Sequence, residues 1–496
     1  MNESAALTLA KAIAAVRNGT PANPVLSSPL TPAQSGSALR LKQALGLSVA
    51  AEAALAVEQA EAVVRELFED GTEAATLIGQ APSPQVFERV ASHWFDPQES
   101  SDETEIAAGY WLADAFLRGI ETEEAQHLTR FLAGASPRTH RHAVVSARRY
   151  PTGGISEKQA LLLPPLMRAL AADFHWCSPF LVAPRLAHTG GTRDKLSVIP
   201  GFEVSSVSEL PHWDGRDKPV RYFAADAQLC PRDAMMYRIR GETGTVADTG
   251  LMAASIMSKQ ITLPADVIIL DILHGPTAFL HTAPEAAAFG TLCEDIGRSN
   301  GITIVAQLRQ SASLLGRSVG ASTEVVEIAE LLRGGAPDEA GQLELSTALG
   351  FLHTFAHQLK LDPNAVTQRA KQAIASGEAF QAMVTLWADH GAENTFLRAF
   401  ARDPRQAILG DLPQATLRAE RSGNLTWDAI ALADVANNQV NVRLEPSPGV
   451  RVVAGGGIEL LCRDGAQVQQ GDALAVIYGQ AAGVAVGALG GAATIG

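Results

Sequence analysis

The chain has 496 residues, 47% of them apolar and 19% charged, the make-up of a globular protein with room for two or three cores and not of a disordered chain. Its formal net charge of −14 speaks against a nucleic-acid binder, which needs a basic face, so any anionic ligand must be held by a local cluster. Four cysteines (Cys177, Cys230, Cys293 and Cys462) form no CxxC pair, so buried reduced thiols are expected, with no metal and no cofactor site. No apolar run reaches membrane-spanning length, and the start Met1-Asn2-Glu3-Ser4, with Lys11 interrupting the first apolar stretch, is not secretory. A cytoplasmic protein with no membrane and no nucleic-acid partner is expected.

Residues 1–80 are alanine-rich; 47–70 lack Gly and Pro and predict a helix ended by Gly71, while 19–36 read as loop. The acidic stretch 97–105 reads as a linker or exposed helix start, followed by helical patterns at 106–118 and 121–132 with Thr122 as a start. From Arg149 onward, short apolar runs at 180–183, 220–224, 267–273 and 302–308 alternate with helical patterns. That alternation predicts a largely parallel sheet covered by helices. Residues 335–415 read as helical, and 454–457 with 468–477 as β-rich. The tail 481–496 is Gly/Ala low complexity with no evident contribution to a core.

Two glycine turns carry the chemistry. Arg149-Tyr150-Pro151-Thr152-Gly153-Gly154-Ile155-Ser156-Glu157 is a Gly-rich turn feeding a helix, and Ser156 with Gln159 makes a capping-box pattern at a helix N-terminus suited to anions. His188-Thr189-Gly190-Gly191-Thr192-Arg193-Asp194-Lys195-Leu196 follows an apolar strand; taken alone, it is equally a plain turn. A third block runs from Tyr237 through Arg240 and Thr245 to Ser255 and Lys259. Four residues apart, Ser255 and Lys259 share a helix face, and with an Arg fork they could read the carbonyls and N–H of a pyrimidine edge. The bland alternative is a solvated helix face.

These three blocks resemble the thymidine/pyrimidine nucleoside phosphorylase family, from about Glu105 to about Tyr478. The resemblance implies an α/β fold of nucleoside phosphorylase class II: a small discontinuous helical domain, a large mixed α/β domain with a central mostly parallel sheet, and a C-terminal β-rich subdomain. The corresponding boundaries are 1–84 for an N-terminal helical extension, 85–148 with 232–262 for the helical dimerisation and base-binding domain, 149–231 with 263–415 for the α/β domain, 416–480 for the β-rich subdomain, and 481–496 for the tail. It also implies a homodimer, a pyrimidine nucleoside or nucleobase as ligand, and inorganic phosphate as a further candidate.

By the same resemblance Arg240, Ser255 and Lys259 bind the base, though the aspartate that normally follows the Arg is Gly241. Arg149, Thr152 and Thr192 fall at phosphate-binding positions, but the remaining family serines fall on Pro151, Ala160 and Val182. Three contacts to a charged group are worth about 5–9 kcal/mol, enough to abolish phosphate affinity in that pose unless Arg148, Arg149 or Arg185 rebuilds it. The family histidine that assists departure of the base is Tyr150, read either as a hydrogen-bonding catalytic phenol or as an aromatic wall, the favoured choice. His188 reads as structural, and a family lysine is lost to Leu273. Where some members bind a monovalent cation, the Thr ligand is Lys158 and the Glu is Glu327, so the Lys158 ammonium is expected to replace the metal. Three functions stay open: a phosphorolytic pentosyltransferase, a glycosyltransferase of the same fold with another acceptor, and a non-catalytic nucleobase- or nucleoside-binding protein.

Overall fold

The computed structural model describes residues 119–134, 144–183, 190–243, 245, 248–263, 265–311, 314–440 and 455–496, with single positions at 95, 108, 109, 111, 112 and 115. The helix expected at 47–70, the acidic stretch 97–105, Arg185 and His188 lie outside the described residues, as does most of the helix expected at 106–118.

The chain divides into two compact units. The first comprises Met1–Arg138, Asp226–Leu263 and Thr291–Gly301, and is therefore discontinuous in sequence. Its described elements include α1 (Thr122–Ala133), where the sequence places a helix. Leu128, Phe131 and Leu132 of α1 pack with Trp111, Leu112, Met236 and Leu251 in one apolar core.

The second unit comprises Thr139–Ala225, Pro264–Gly290 and Ile302–Gly496. Its centre is a five-stranded sheet in the order β3-β2-β1-β4-β5, all neighbours parallel. The strands are β1 (Val145–Pro151), β2 (Trp176–Val182), β3 (Val220–Ala224), β4 (Val267–His274) and β5 (Thr303–Gln310). Strand β4, Val-Ile-Ile-Leu-Asp-Ile-Leu-His, is the near-continuous apolar run of a strand buried on both faces, with Asp271 its one acidic residue. Helix α2 (Gln159–Phe174), which joins β1 to β2, is apolar on most of its circumference and buried to match.

Strand β1 is the element the sequence did not predict. It lies at the middle of the sheet, yet its residues Ser-Ala-Arg-Arg-Tyr-Pro carry two buried arginines and no aliphatic run.

The C-terminal part adds strands β6 (Ser318–Val319), β7 (Gln414–Arg418), β8 (Gly423–Trp427), β9 (Gly457–Leu460), β10 (Gln467–Val468), β11 (Ala473–Tyr478) and β12 (Ala493–Ile495), in two antiparallel sheets ordered β6-β9-β11-β7 and β10-β8-β12. Here the expectation for the tail is corrected. Residues Ala482–Gly491 form a helix and Ala493–Ile495 form β12, which pairs antiparallel with β8 (Gly423–Trp427). Ala482, Ala485, Leu489 and Ile495 are buried with Leu425, Trp427 and Leu432. The helix contributes Ala482, Ala485 and Leu489 to this core, while its glycines Gly483, Gly487 and Gly491 have open space around them.

Candidate active site

In the first unit, Pro231–Thr243 forms α4 and Thr249–Thr262 forms α5. Asp248 caps α5, its carboxylate accepting from the Leu251 N–H at 2.7 Å. Ser255 and Lys259, one turn apart on α5, touch: the ammonium donates to the Ser255 hydroxyl at 3.2 Å and to the Ser255 carbonyl at 2.9 Å. Lys259 also forms a short ion pair with Asp233, from the first turn of α4, and lies 6.0 Å from the Tyr237 ring centroid. Arg240 is buried; its Nε donates to the Thr245 carbonyl at 3.3 Å and its Nη1 to the Leu251 carbonyl at 3.2 Å. Burial holds the Arg240 pKa below its usual value, against the pull of Asp233, Asp248 and Tyr237. The three residues expected to read a base thus lie on α4 and α5 of one unit, and Asp233 is the member sequence reading missed.

In the second unit, the glycine turn after β1 leads into a run of buried ion pairs. Arg149 is almost fully buried, and its guanidinium is committed to carboxylates: Nε to Asp271 Oδ2 at 3.0 Å, Nη2 to the same oxygen at short range, and Nη2 to Glu157 Oε1 at 2.8 Å. From β5, Arg309 reaches the same aspartate, with Nη2 at 2.7 Å from Oδ2 and Nε at 3.2 Å from Oδ1. Burial would raise the pKa of Asp271 and Glu157, but Arg149 and Arg309 hold both below the usual carboxylate range. Arg309 is the residue in register with Leu273, so a cation that the resemblance places on β4 is supplied one strand over.

The start of α2 corrects the capping-box expectation. Ser156 takes a left-handed backbone (φ 60°), and its hydroxyl donates to the Ser318 carbonyl instead of accepting from a helix N–H. Glu157 takes the place instead, Oε1 accepting from the Gln159 N–H at 2.8 Å. A helix N-terminus that favours an anion is therefore met by the protein's own carboxylate.

Of the other expected residues, Thr152 is buried, with its hydroxyl oxygen accepting from the Leu273 N–H at 3.0 Å. Thr192 opens the short helix α3 (Thr192–Leu196) and is half-buried, while Tyr150 is buried near the end of β1. Lys195 of that short helix pairs with Glu324 at 2.7 Å. The Lys158 ammonium lies 2.8 Å from Glu327 Oε2 and 3.2 Å from the Ser318 carbonyl, the pairing anticipated from sequence. Among the described residues, no group of three or more His, Cys, Asp or Glu is placed to hold a metal ion. Burial pushes the Cys230 thiol up to about 11 and raises Cys177 and Cys293 as well, so none of the three is poised as a nucleophile.

No family model matches the chain. It is 28% identical over 301 residues to a pyrimidine-nucleoside phosphorylase of Bacillus subtilis, covering 60% of this chain and 68% of that protein. A thymidine phosphorylase of Mycobacterium tuberculosis is 35% identical over 200 residues, 40% of this chain and 46% of that one. Among solved structures, an anthranilate phosphoribosyltransferase from Thermus thermophilus superposes with a TM-score of 0.47 at 14% identity, over 64% of this chain and 98% of the other. In sequence the chain is thus similar to thymidine and pyrimidine-nucleoside phosphorylases, with Arg240, Ser255 and Lys259 in one of its units and the glycine turn after β1 in the other.

Proposed function

We propose that the protein is a pentosyltransferase that opens the glycosidic bond of a pyrimidine nucleoside, with Arg240, Ser255 and Lys259 forming the base-recognition site. The reading rests on the relatives' activity together with the one observation that these three donors survive in a divergent chain and lie in one helical unit. On this reading the C1′–N1 bond breaks, the base leaves with the bonding electrons and gains a proton, and an acceptor oxygen takes C1′. Tyr150 serves as an aromatic wall. The working form is a homodimer in the cytoplasm.

A specific observation favours an acceptor other than a phosphate gripped by Arg149. That guanidinium is neutralised by Asp271 and Glu157, and releasing it would strand buried carboxylates at a cost of about 3–5 kcal/mol. Thr152 and Thr192 remain as hydroxyl donors for whatever oxygen acceptor is used. Incubating the protein with uridine, deoxyuridine and thymidine, with and without phosphate, and following free base is the direct test. Release of base that does not rise with phosphate is expected. Strictly phosphate-dependent release would restore ordinary phosphorolysis, and thermal stabilisation by uracil without any turnover would leave a binding protein.

A further inference from the structure

We propose that Asp233 is a positioning residue of the base-recognition site, holding Lys259 against Ser255 so that the Ser255 hydroxyl is left to donate to a neutral pyrimidine carbonyl. This deepens the reading that α4 and α5 carry a base site, and depends on it.

The argument starts from a carboxylate in a costly setting. Asp233 is 1% exposed. One of its oxygens pairs with Lys259, while Oδ1 has no hydrogen-bond partner among the described residues. A buried acceptor left unpaired is destabilising, and a buried ion pair seldom stabilises a fold better than apolar groups of the same size. The pair is therefore poorly explained as a stabilising contact.

Its effect on its neighbours is definite. An ammonium has three donors, and here they are aimed at Asp233 Oδ2, the Ser255 carbonyl and the Ser255 hydroxyl oxygen. Ser255 Oγ is thus an acceptor towards Lys259, which leaves its own proton to be given away. The Ser258 hydroxyl donates to the same Ser255 carbonyl at 2.8 Å, fixing that turn of α5. Because Asp233 offsets the Lys259 charge, the Ser255 end of the cluster presents a polarised hydroxyl whose neighbouring ammonium is already paired. Such a subsite takes a carbonyl oxygen of a neutral base in preference to an anion.

The test uses the full chain and two probes, uracil and its anionic 6-carboxylate analogue, with affinities from calorimetry and thermal unfolding as the check on folding. Asp233→Asn keeps the shape and removes the charge. It is expected to weaken uracil at least about tenfold while the 6-carboxylate analogue binds as well as before or better. On a Lys259→Met background the same substitution is expected to change uracil affinity less than about twofold, because its effect runs through Lys259. Asp233→Glu, which keeps the charge, is expected to retain the preference for uracil, and it decides the matter if the Asn variant does not fold. Equal weakening of both probes in Asp233→Asn, no weakening at all, or loss of the preference in Asp233→Glu overturns the inference. Wild-type protein that binds neither uracil nor a pyrimidine nucleoside overturns the base-site reading itself, a different result on a different sample.

Discussion

Lys158 brings a fixed positive charge into a place that the family resemblance assigns to a monovalent cation in some members. Burial alone would lower its pKa, but Glu327, Glu324 and Glu344 together hold it above its usual value, so the ammonium stays charged. Glu327 is in turn held by the backbone N–H groups of Arg317 at 3.2 Å and Ser318 at 3.0 Å. Gly316 makes the approach possible: its φ is +86°, and a Cβ there would collide with both the Lys158 ammonium and Glu327 Oε1. Two outcomes follow at this scale. The unfolding midpoint is expected to be the same in potassium and in sodium at equal ionic strength. Lys158→Met is expected to lose about 3–5 kcal/mol in denaturant unfolding, since Glu327 is left as a buried uncompensated charge. A midpoint that climbs specifically with potassium would show that the ammonium has not taken the ion's place. Pairing Lys158 with Glu327 was legible only through the family resemblance, which sets both residues at positions that hold a monovalent cation in some members. The Asp233–Lys259 pair was not legible, since its partners sit on different helices with no spacing rule between them.

Among the elements, those with clear apolar runs were readable: α1 and strands β2 to β5 lie close to where those runs place them, whereas α5 was expected only through the family resemblance. Strand β1 was hidden by its own function-bearing content. Arg149 is tolerated in mid-sheet because Asp271 on β4, more than a hundred residues later, and Glu157 after the turn balance its charge together with that of Arg309 on β5. No local pattern reports such a balance. The capping box at Ser156 misled for a related reason: the residue that meets the helix N-terminus is fixed by the left-handed turn, which reverses the serine away from α2. The tail misled by composition, although Leu489 and Ile495 are the apolar points that it buries. Each such side chain is worth about 1.5–3 kcal/mol, and β12 also closes the edge of β8. Deleting 481–496 is therefore expected to lower the thermal transition of the second unit by several degrees and to expose Trp427 to fluorescence quenchers. An unchanged transition and an unquenched Trp427 would mean that the tail adds nothing to this core.

The behaviour of the whole molecule with pH is set by which buried groups must change charge, and among the described residues His390 is a histidine that must do so in mildly acidic solution. Its Nδ1–H donates to the Glu203 carbonyl at 2.8 Å, and its Nε2 accepts the Tyr222 N–H at 3.1 Å, so the ring is used as a neutral imidazole at both ends. It also stacks on Phe202 with centroids 4.9 Å apart. Burial lowers its pKa to about 4, with Arg221 and Lys218 lowering it further and the Glu203 carbonyl and Glu209 opposing. In the unfolded chain a histidine titrates at about 6.5. Between those two values the unfolded state holds a proton that the folded state refuses, so stability rises with pH there. The contribution is present above about pH 6.5 and is lost as pH falls towards 4, a loss of about 3 kcal/mol. Glu344 works in the opposite direction: burial raises its pKa, so its share is present below the unfolded carboxylate value and fades as pH rises through the folded one. Comparing the wild type with His390→Asn, which keeps a donor and an acceptor but does not titrate, cancels the Glu344 part. The stability difference between the two is expected to shrink by about 3 kcal/mol from pH 7 to pH 4, the wild type losing the more. A difference that stays level across that range would mean that the imidazole is free to protonate in place, and that the Tyr222 N–H does not depend on it.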